Sequence, residues 1–335
     1  KCSQAFASPA VWDRLSRHCE ATGDRLPDMR KVFSCGAPVP AKVIRRTLAC
    51  VAPGAQLHTP YGATDSLPVA TMEAQEILSE TAEKTDQGAG VCVGKKFETI
   101  DWRIIRITDA PTQNIEETQE LPQGEIGELI VRGPQVSRSY HKVASTLRHA
   151  EQSVGSGLGA ARRSVLTTLP DYNAAAKIRD EGGIWHRMGD VGYFDEQGRF
   201  WYCGRKSQRV VTKAETLYTI PVEAMVNTSH WVGKSALVGV GESSDQTPVI
   251  VYELDYAEAP MEELADCVDQ AGDPISAANY ERNEIERHAR QQGLSASIEH
   301  FIPHAKLPVD IRHNSKIFRE KLAVWAEGKL RGKSK

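Results

Sequence analysis

The 335-residue chain contains no run of apolar residues approaching the roughly 18 that a membrane-spanning helix requires. It also lacks a surplus of positive charge. Its 41 Lys and Arg against 44 Asp and Glu leave a formal net charge of -3, which argues against a nucleic-acid-binding surface. Cysteine is sparse, with seven residues at positions 2, 19, 35, 50, 92, 203 and 267, none of them in a C-x-x-C pair. An odd, scattered set of thiols excludes a disulfide framework and a zinc knuckle, and fits the reduced thiols of a cytoplasmic protein. The ten histidines are equally dispersed and form no H-E-x-x-H, so a metal held by protein ligands alone is not expected. The first residues, KCSQAFASPAVWDRL, include neither the apolar stretch of a signal peptide nor an initiator Met. The expectation is that the chain begins inside a longer protein.

What is present is an ordinary globular composition, 40% apolar and 25% charged, at a length that implies two domains. Helix and strand patterns alternate at first: a helix over Pro9–His18, a strand over Lys31–Ser34, a helix over Ala41–Ala49 and an extended stretch over Gln56–Thr59. Strand, glycine turn and helix in that order define an α/β layer, whose ligands gather at the carboxyl ends of the strands. From Val93 to Tyr140 the pattern turns β-rich, with strands expected over Trp102–Ile107 and Gly127–Arg132. A further β unit runs from Gly189 to Cys203 around the turn Glu196–Arg199. Beyond it, strands are expected over Ser235–Val240, Val249–Leu254 and Ser297–Phe301, and helices over Tyr280–Gln292 and Ser315–Trp325. The boundary falls near Arg205–Ser207, giving domains 1–205 and 206–335. Residues 143–170 are rich in Gly, Ser, Ala and Arg without a strand period, and read as a loop insertion.

Three segments carry chemistry. In Tyr61-Gly62-Ala63-Thr64-Asp65 the ring can stack on a base, glycine admits close approach, and hydroxyl and carboxylate suit phosphate and Mg²⁺. In Trp185-His186-Arg187-Met188-Gly189-Asp190, the Asp at a turn can accept both hydroxyls of a ribose. In Tyr202-Cys203-Gly204-Arg205-Lys206 a guanidinium precedes a link. Each alone is equally explained by a strand-ending turn, a capped hairpin or a surface basic cluster. Two decoys fall away. Gly233-Lys234-Ser235 has Thr228 where a Walker loop needs glycine, and Gly155–Gly159 follows no strand.

Together, in this order, the segments resemble the AMP-binding (ANL) superfamily of adenylate-forming enzymes. Its signatures appear here as YGATD, HRMGD and YCGR, followed by PVDIRHNSKIFREKL. SCGAPVP, YGATDSLPVA, WHRMGDVGYFDEQGRFWYCGRK and PVDIRHNSKIFREKLAVWA are similar, more narrowly, to the β-lactone synthetase family of bacterial olefin biosynthesis. The resemblance implies a fold of two parts: an α/β layer with a β-barrel-like region, then a small, mobile α+β domain. It implies ATP and Mg²⁺ as cofactors and a long-chain carboxylic or β-hydroxy acid as small-molecule substrate. Assembly with other hydrocarbon-biosynthesis enzymes is implied as well. Acyl-AMP formation would be followed by closure to a β-lactone. CoA ligation, or an inactive nucleotide-binding fragment, stand as the alternatives.

The family's roles carry over residue by residue. Gly36, Ala37 and Pro38 would lie along the adenine, with Tyr61 stacked on it beside Gly62. Thr64 would contact phosphate, Asp190 the ribose, and Arg205 the ribose or phosphate. Ser207 stands at the hinge. Lys316 would neutralise charge developing between carboxylate and α-phosphorus. Two departures are visible. Asp65 replaces the usual Glu beside Mg²⁺, and the family's Ser/Thr/Gly-rich phosphate loop is not found in this sequence. His186 and His313 are the histidines nearest the motifs that could take a proton.

Overall fold

In the computed structural model, residues 2–140, 172–255, 277–310 and 316–332 are described. The insertion expected over 143–170, and His313 with its neighbours, lie outside them.

The first layer is a five-stranded sheet. Strands β1 (Gln4–Ala7), β2 (Lys31–Ser34) and β3 (Gln56–Ala63) run parallel; β4 (Ser66–Glu73) and β6 (Lys95–Lys96) follow antiparallel. Helix α1 (Pro9–Thr22) starts on a proline, whose missing N–H costs nothing in a first turn, and ends at Gly23 in the left-handed region. Its Trp12, Ser16 and Cys19 form one buried stripe, and Trp12 donates to the Phe33 carbonyl (3.1 Å). Helix α2 (Ala41–Cys50) buries Val43, Ile44, Thr47 and Cys50 in the same core. Because β2 and β3 are parallel, the turn after each opens at the same edge, so 36–38 and 62–65 lie at one end of the layer.

The second sheet is antiparallel, in the order β5 (Val91–Cys92), β11 (Phe200–Arg205), β10 (Gly183–Phe194), β8 (Gly127–Arg132), β7 (Asp101–Ile105). Strand β9 (Lys177–Asp180), preceded by the short helix α3 (Tyr172–Ala176), pairs with the start of β10. Bulges shift the register of β10 between Arg187 and Val191 and again at Val191/Gly192, which re-aims the Asp190 segment.

After a single turn at Lys206–Gln208 and the small pair β12 (Val210–Val211) and β13 (Thr216–Leu217) comes a three-stranded sheet. It consists of the long hairpin β14 (Val232–Glu242) and β15 (Asp245–Leu254), with β16 (His300–Pro303) parallel to β15. Alternate residues of the hairpin serve opposite faces. Leu237, Ile250 and Tyr252 pack with helices α4 (Thr219–Asn227) and α5 (Ala277–Gln291). Ala236, Val238, Val249 and Val251 pack with α6 (Arg319–Leu330). The buried apolar clusters of residues 210–326 share no member with those of the two preceding sheets.

Two local expectations are corrected. The extended stretch expected over Gln56–Thr59 runs further: β3 continues to Ala63, turns at Thr64-Asp65 and folds back as β4, pairing Tyr61 with Ala70 and Ala63 with Ser66. The last helix does not begin at Ser315. Ile317 bridges to Val309, and Phe318 N–H donates to the Pro308 carbonyl (2.9 Å), so the backbone is engaged laterally until Arg319.

Candidate active site

Asp190 is the centre of the site. It is a carboxylate only 3% exposed, placed on β10 just after Gly189, whose φ of +66° suits glycine. Tyr61 donates its hydroxyl to Asp190 Oδ2 at 2.6 Å, joining the first sheet to the second. Arg205, opposite Asp190 in the β10–β11 register, brings Nη1 to 3.0 Å from Oδ1. That nitrogen's hydrogen bond goes instead to the Met188 carbonyl (2.9 Å), and Oδ1 accepts no hydrogen bond. The two facts agree: the guanidinium supplies charge beside Oδ1 without occupying its lone pairs. Burial pushes the Asp190 carboxyl above its ordinary range, while Arg205, the Tyr61 hydroxyl and, more weakly, the charge of Lys316 pull it back. Asp190 in turn is the main cause of the raised Arg205 pKa. Burial and then Asp190 hold the Tyr61 phenol well above its usual value.

The Tyr61 ring lies against Phe200 (5.7 Å between centroids) and Tyr202 (6.1 Å). Gly62 is required by proximity, since a Cβ there would meet the Ser66 carbonyl at 2.4 Å. The hairpin tip exposes Thr64 and half-buries Asp65. Asp65 Oδ1 accepts from the Ser137 hydroxyl (3.2 Å) and Oδ2 from the Tyr140 hydroxyl (2.9 Å), with His186 Nε2 4.0 Å away. Lys177 secures this group, donating to the Ser137 carbonyl (2.6 Å) and hydroxyl (2.8 Å) and lying 3.2 Å from His186 Nδ1. Burial lowers the pKa of His186, and the Lys177 ammonium lowers it further. Tyr140 is fixed at both backbone polar groups by the Asn173 side chain: its N–H donates to Oδ1 (2.7 Å) and its carbonyl accepts from Nδ2 (2.9 Å).

Asp65 fits the way Mg²⁺ is commonly held at nucleotides, by one or two carboxylates with the remaining ligands from phosphate and water. Among the described residues no group of three or more His, Cys, Asp or Glu could hold a metal by itself.

The structure therefore joins Tyr61, Gly62, Asp190 and Arg205 in one cluster. Thr64 and Asp65 sit at the end of the same strand, and Gly36, Ala37 and Pro38 follow the neighbouring parallel strand. Lys316 is exposed, and its charge reaches Asp190. Sequence reasoning overlooked Ser137, Tyr140 and Lys177 around Asp65, and also the buried pair Arg187–Glu128. In that pair Nη2 lies 2.6 Å from Oε2, and Lys206 Nζ lies 3.1 Å from the same oxygen. The only available signal was Arg187 within HRMGD and Glu128 as the one acidic residue of the otherwise apolar strand GELIVR, which ends on Arg132.

This constellation has counterparts. Residues 1–141 match the family of AMP-binding enzymes. The structure superposes on ATP-bound MatB from Rhodopseudomonas palustris with a TM-score of 0.60, over 98% of this chain and 51% of that one; at 18% identity this is a likeness of fold. The likeness at this level is to the AMP-binding enzymes, by sequence over residues 1–141 and by fold over most of the chain. More narrowly, the sequence is 40% identical over 333 residues to an olefin β-lactone synthetase of Stenotrophomonas maltophilia, covering 98% of this chain and 52% of that protein. It is 38% identical over 328 residues to the olefin β-lactone synthetase of Xanthomonas campestris pv. campestris, covering 97% and 51%. The resemblance seen in the motifs is thus shown at both levels, and the chain spans about half the length of these relatives. Among the described residues no helix is long and apolar enough to cross a membrane.

Proposed function

We propose that this chain supplies the ribose, metal and lysine sites of a cytosolic enzyme that adenylates a long-chain β-hydroxy acid with ATP and closes the product to a β-lactone. The observation that carries the reading is the buried Asp190: one oxygen is held by Tyr61, the other is free to accept, and Arg205 and Lys316 provide positive charge around it. A desolvated carboxylate is costly to maintain, and two ribose hydroxyls are a fitting pair of donors for it. Residues 36–38 and Tyr61 would border the adenine, and Thr64 the phosphates.

In the first step a substrate carboxylate oxygen attacks the α-phosphorus and the bond to pyrophosphate breaks. Lys316 would offset the charge that accumulates there, an electrostatic effect exerted mainly in the transition state. Asp65, fixed by Ser137 and Tyr140, would hold Mg²⁺, whose chemistry is to neutralise phosphate charge. In the second step the substrate's own β-hydroxyl oxygen attacks the acyl carbon, loses its proton and expels AMP. Holding hydroxyl and carbonyl together offsets the strain of the four-membered ring. The relatives' name, olefin β-lactone synthetase, supports this second step.

The test is product analysis with a β-hydroxy acid and ATP. AMP, pyrophosphate and a lactone lighter than the acid by one water are expected without CoA. Release of ADP, or turnover only with CoA, defeats the reading. Lys316→Ala should slow acyl-AMP formation by about a hundredfold, the effect of one preorganised electrostatic contact, with substrate affinities nearly unchanged. Lys321, whose ammonium lies 4.7 Å over the Phe318 ring, is the control.

A further inference from the structure

Lys316 has no side-chain anchor of its own among the hydrogen bonds described, yet its position is narrowly set. Its carbonyl accepts from Asp310 N–H (2.8 Å), and the next two residues are tied to Val309 and Pro308. Three positions on, Arg319 opens α6 with a side chain only 12% exposed and every donor group engaged. Its guanidinium grips both carboxylate oxygens of Glu223, with Nη2 3.0 Å from Oε2. Nη1 also donates to the Leu237 carbonyl (3.2 Å), and Nε donates to Gln208 Oε1 (3.2 Å). Glu223 accepts in addition from Leu237 N–H (2.8 Å). One side chain thereby joins α6, α4, β14 and the turn 206–208.

That turn directly follows Arg205, the partner of Asp190. Helix α4 is itself fitted closely on β11: a Cβ at Gly204 would come within 2.5 Å of Thr219 Oγ1. A continuous set of contacts therefore runs from Asp190 through Arg205, Gly204 and Thr219 to Glu223, then through Arg319 to the segment bearing Lys316. Gln208 supplies a second, shorter link to the same guanidinium.

We propose that Arg319 is a positioning residue for the first half-reaction: by bridging Glu223, Leu237 and Gln208 it fixes the Lys316 segment against the turn 206–208 and so holds the lysine's charge over the nucleotide site. The proposal rests on the adenylation role of Lys316. A planar guanidinium can make these contacts at once, whereas a lysine ammonium keeps the charge but loses the fork. Arg319→Lys therefore separates geometry from charge.

In the full-length protein, Arg319→Lys should lower kcat for ATP–pyrophosphate exchange at least tenfold. KM for ATP and for the acid should stay within about twofold, because ground-state contacts are untouched. Consumption of separately supplied acyl-AMP should proceed at the wild-type rate. A general loosening of the fold would slow both half-reactions, and equal losses overturn the proposal. Wild-type exchange in Arg319→Lys overturns it as well. Should that variant fail to fold, Gln208→Leu leaves the Arg319–Glu223 pair in place and should give a loss of the same kind, confined to kcat of exchange; its absence is equally fatal. Lys316→Ala separates the two ideas. If it leaves exchange intact, the role of Lys316 falls and this proposal with it. If it abolishes exchange while Arg319→Lys and Gln208→Leu do not, only the positioning role falls. Adding Arg319→Lys to Lys316→Ala should cause no further loss, since both act through one ammonium.

Discussion

Asp190 combines two demands that conflict within a single residue. Its burial raises the carboxyl pKa in the folded chain. A carboxyl raised in this way favours folding most at pH values below its unfolded pKa of about 4, and the contribution disappears as pH climbs through the folded value. Above that range the buried charge opposes folding. Asp190→Asn should therefore melt higher than the wild type at about pH 8, with the advantage shrinking toward about pH 4. The same variant should bind ATP more weakly, since each hydrogen bond involving a charged acceptor contributes roughly 1.5–3 kcal/mol. Melting curves at both pH values with calorimetry of ATP binding test the pair; an advantage independent of pH would remove the buried charge as its cause. At Asp65 the issue is the metal. Asp65→Asn should raise the Mg²⁺ concentration needed for half-maximal nucleotide binding by about tenfold, given the preference of Mg²⁺ for carboxylate oxygen. An unchanged Mg²⁺ titration would exclude Asp65 as a ligand.

At the scale of elements, strand β8 shows what a sequence reveals and what it conceals. GELIVR is legible as a strand because Val, Ile and Leu fill it, and its bounds over Gly127–Arg132 agree with the structure. Glu128 inside it is 1% exposed and tolerable only because Arg187 and Lys206 meet it, partners 59 and 78 positions away along the chain. No local pattern encodes such a pairing. Glu128→Gln should cost about 3–5 kcal/mol, the usual result of removing one side of a buried pair, measured as a shift in the urea midpoint. A loss below about 1 kcal/mol would mean that water reaches the pair, as it does at surface pairs. The same limit explains the misread helix start. Ser315–Trp325 has helical composition, but Lys316 and Phe318 hydrogen-bond to Asp310 and Pro308 across the chain instead of along a helix. The motifs were recoverable because each is short and contiguous. The ring of Ser137, Tyr140 and Lys177 about Asp65 was not, being assembled from three separate segments.

For the whole molecule, the separation of apolar clusters at the turn 206–208 has a direct physical reading: each side buries its own core. We propose that these are independent domains, and a fragment comprising residues 207–335 should fold alone, giving a dispersed amide spectrum and one cooperative melt. A collapsed, uncooperative fragment would show that it depends on the contacts of α4 with β11. A different consequence follows from Asn173. Its amide treats the backbone of Tyr140 as a neighbouring strand would, which brings positions 140 and 173 to hydrogen-bonding distance. Two positions so close form a natural port for grafting. The entropic cost of a closed loop grows only slowly with its length, so a reporter domain whose own termini lie side by side could be spliced in there while the scaffold still held Asp65 in place.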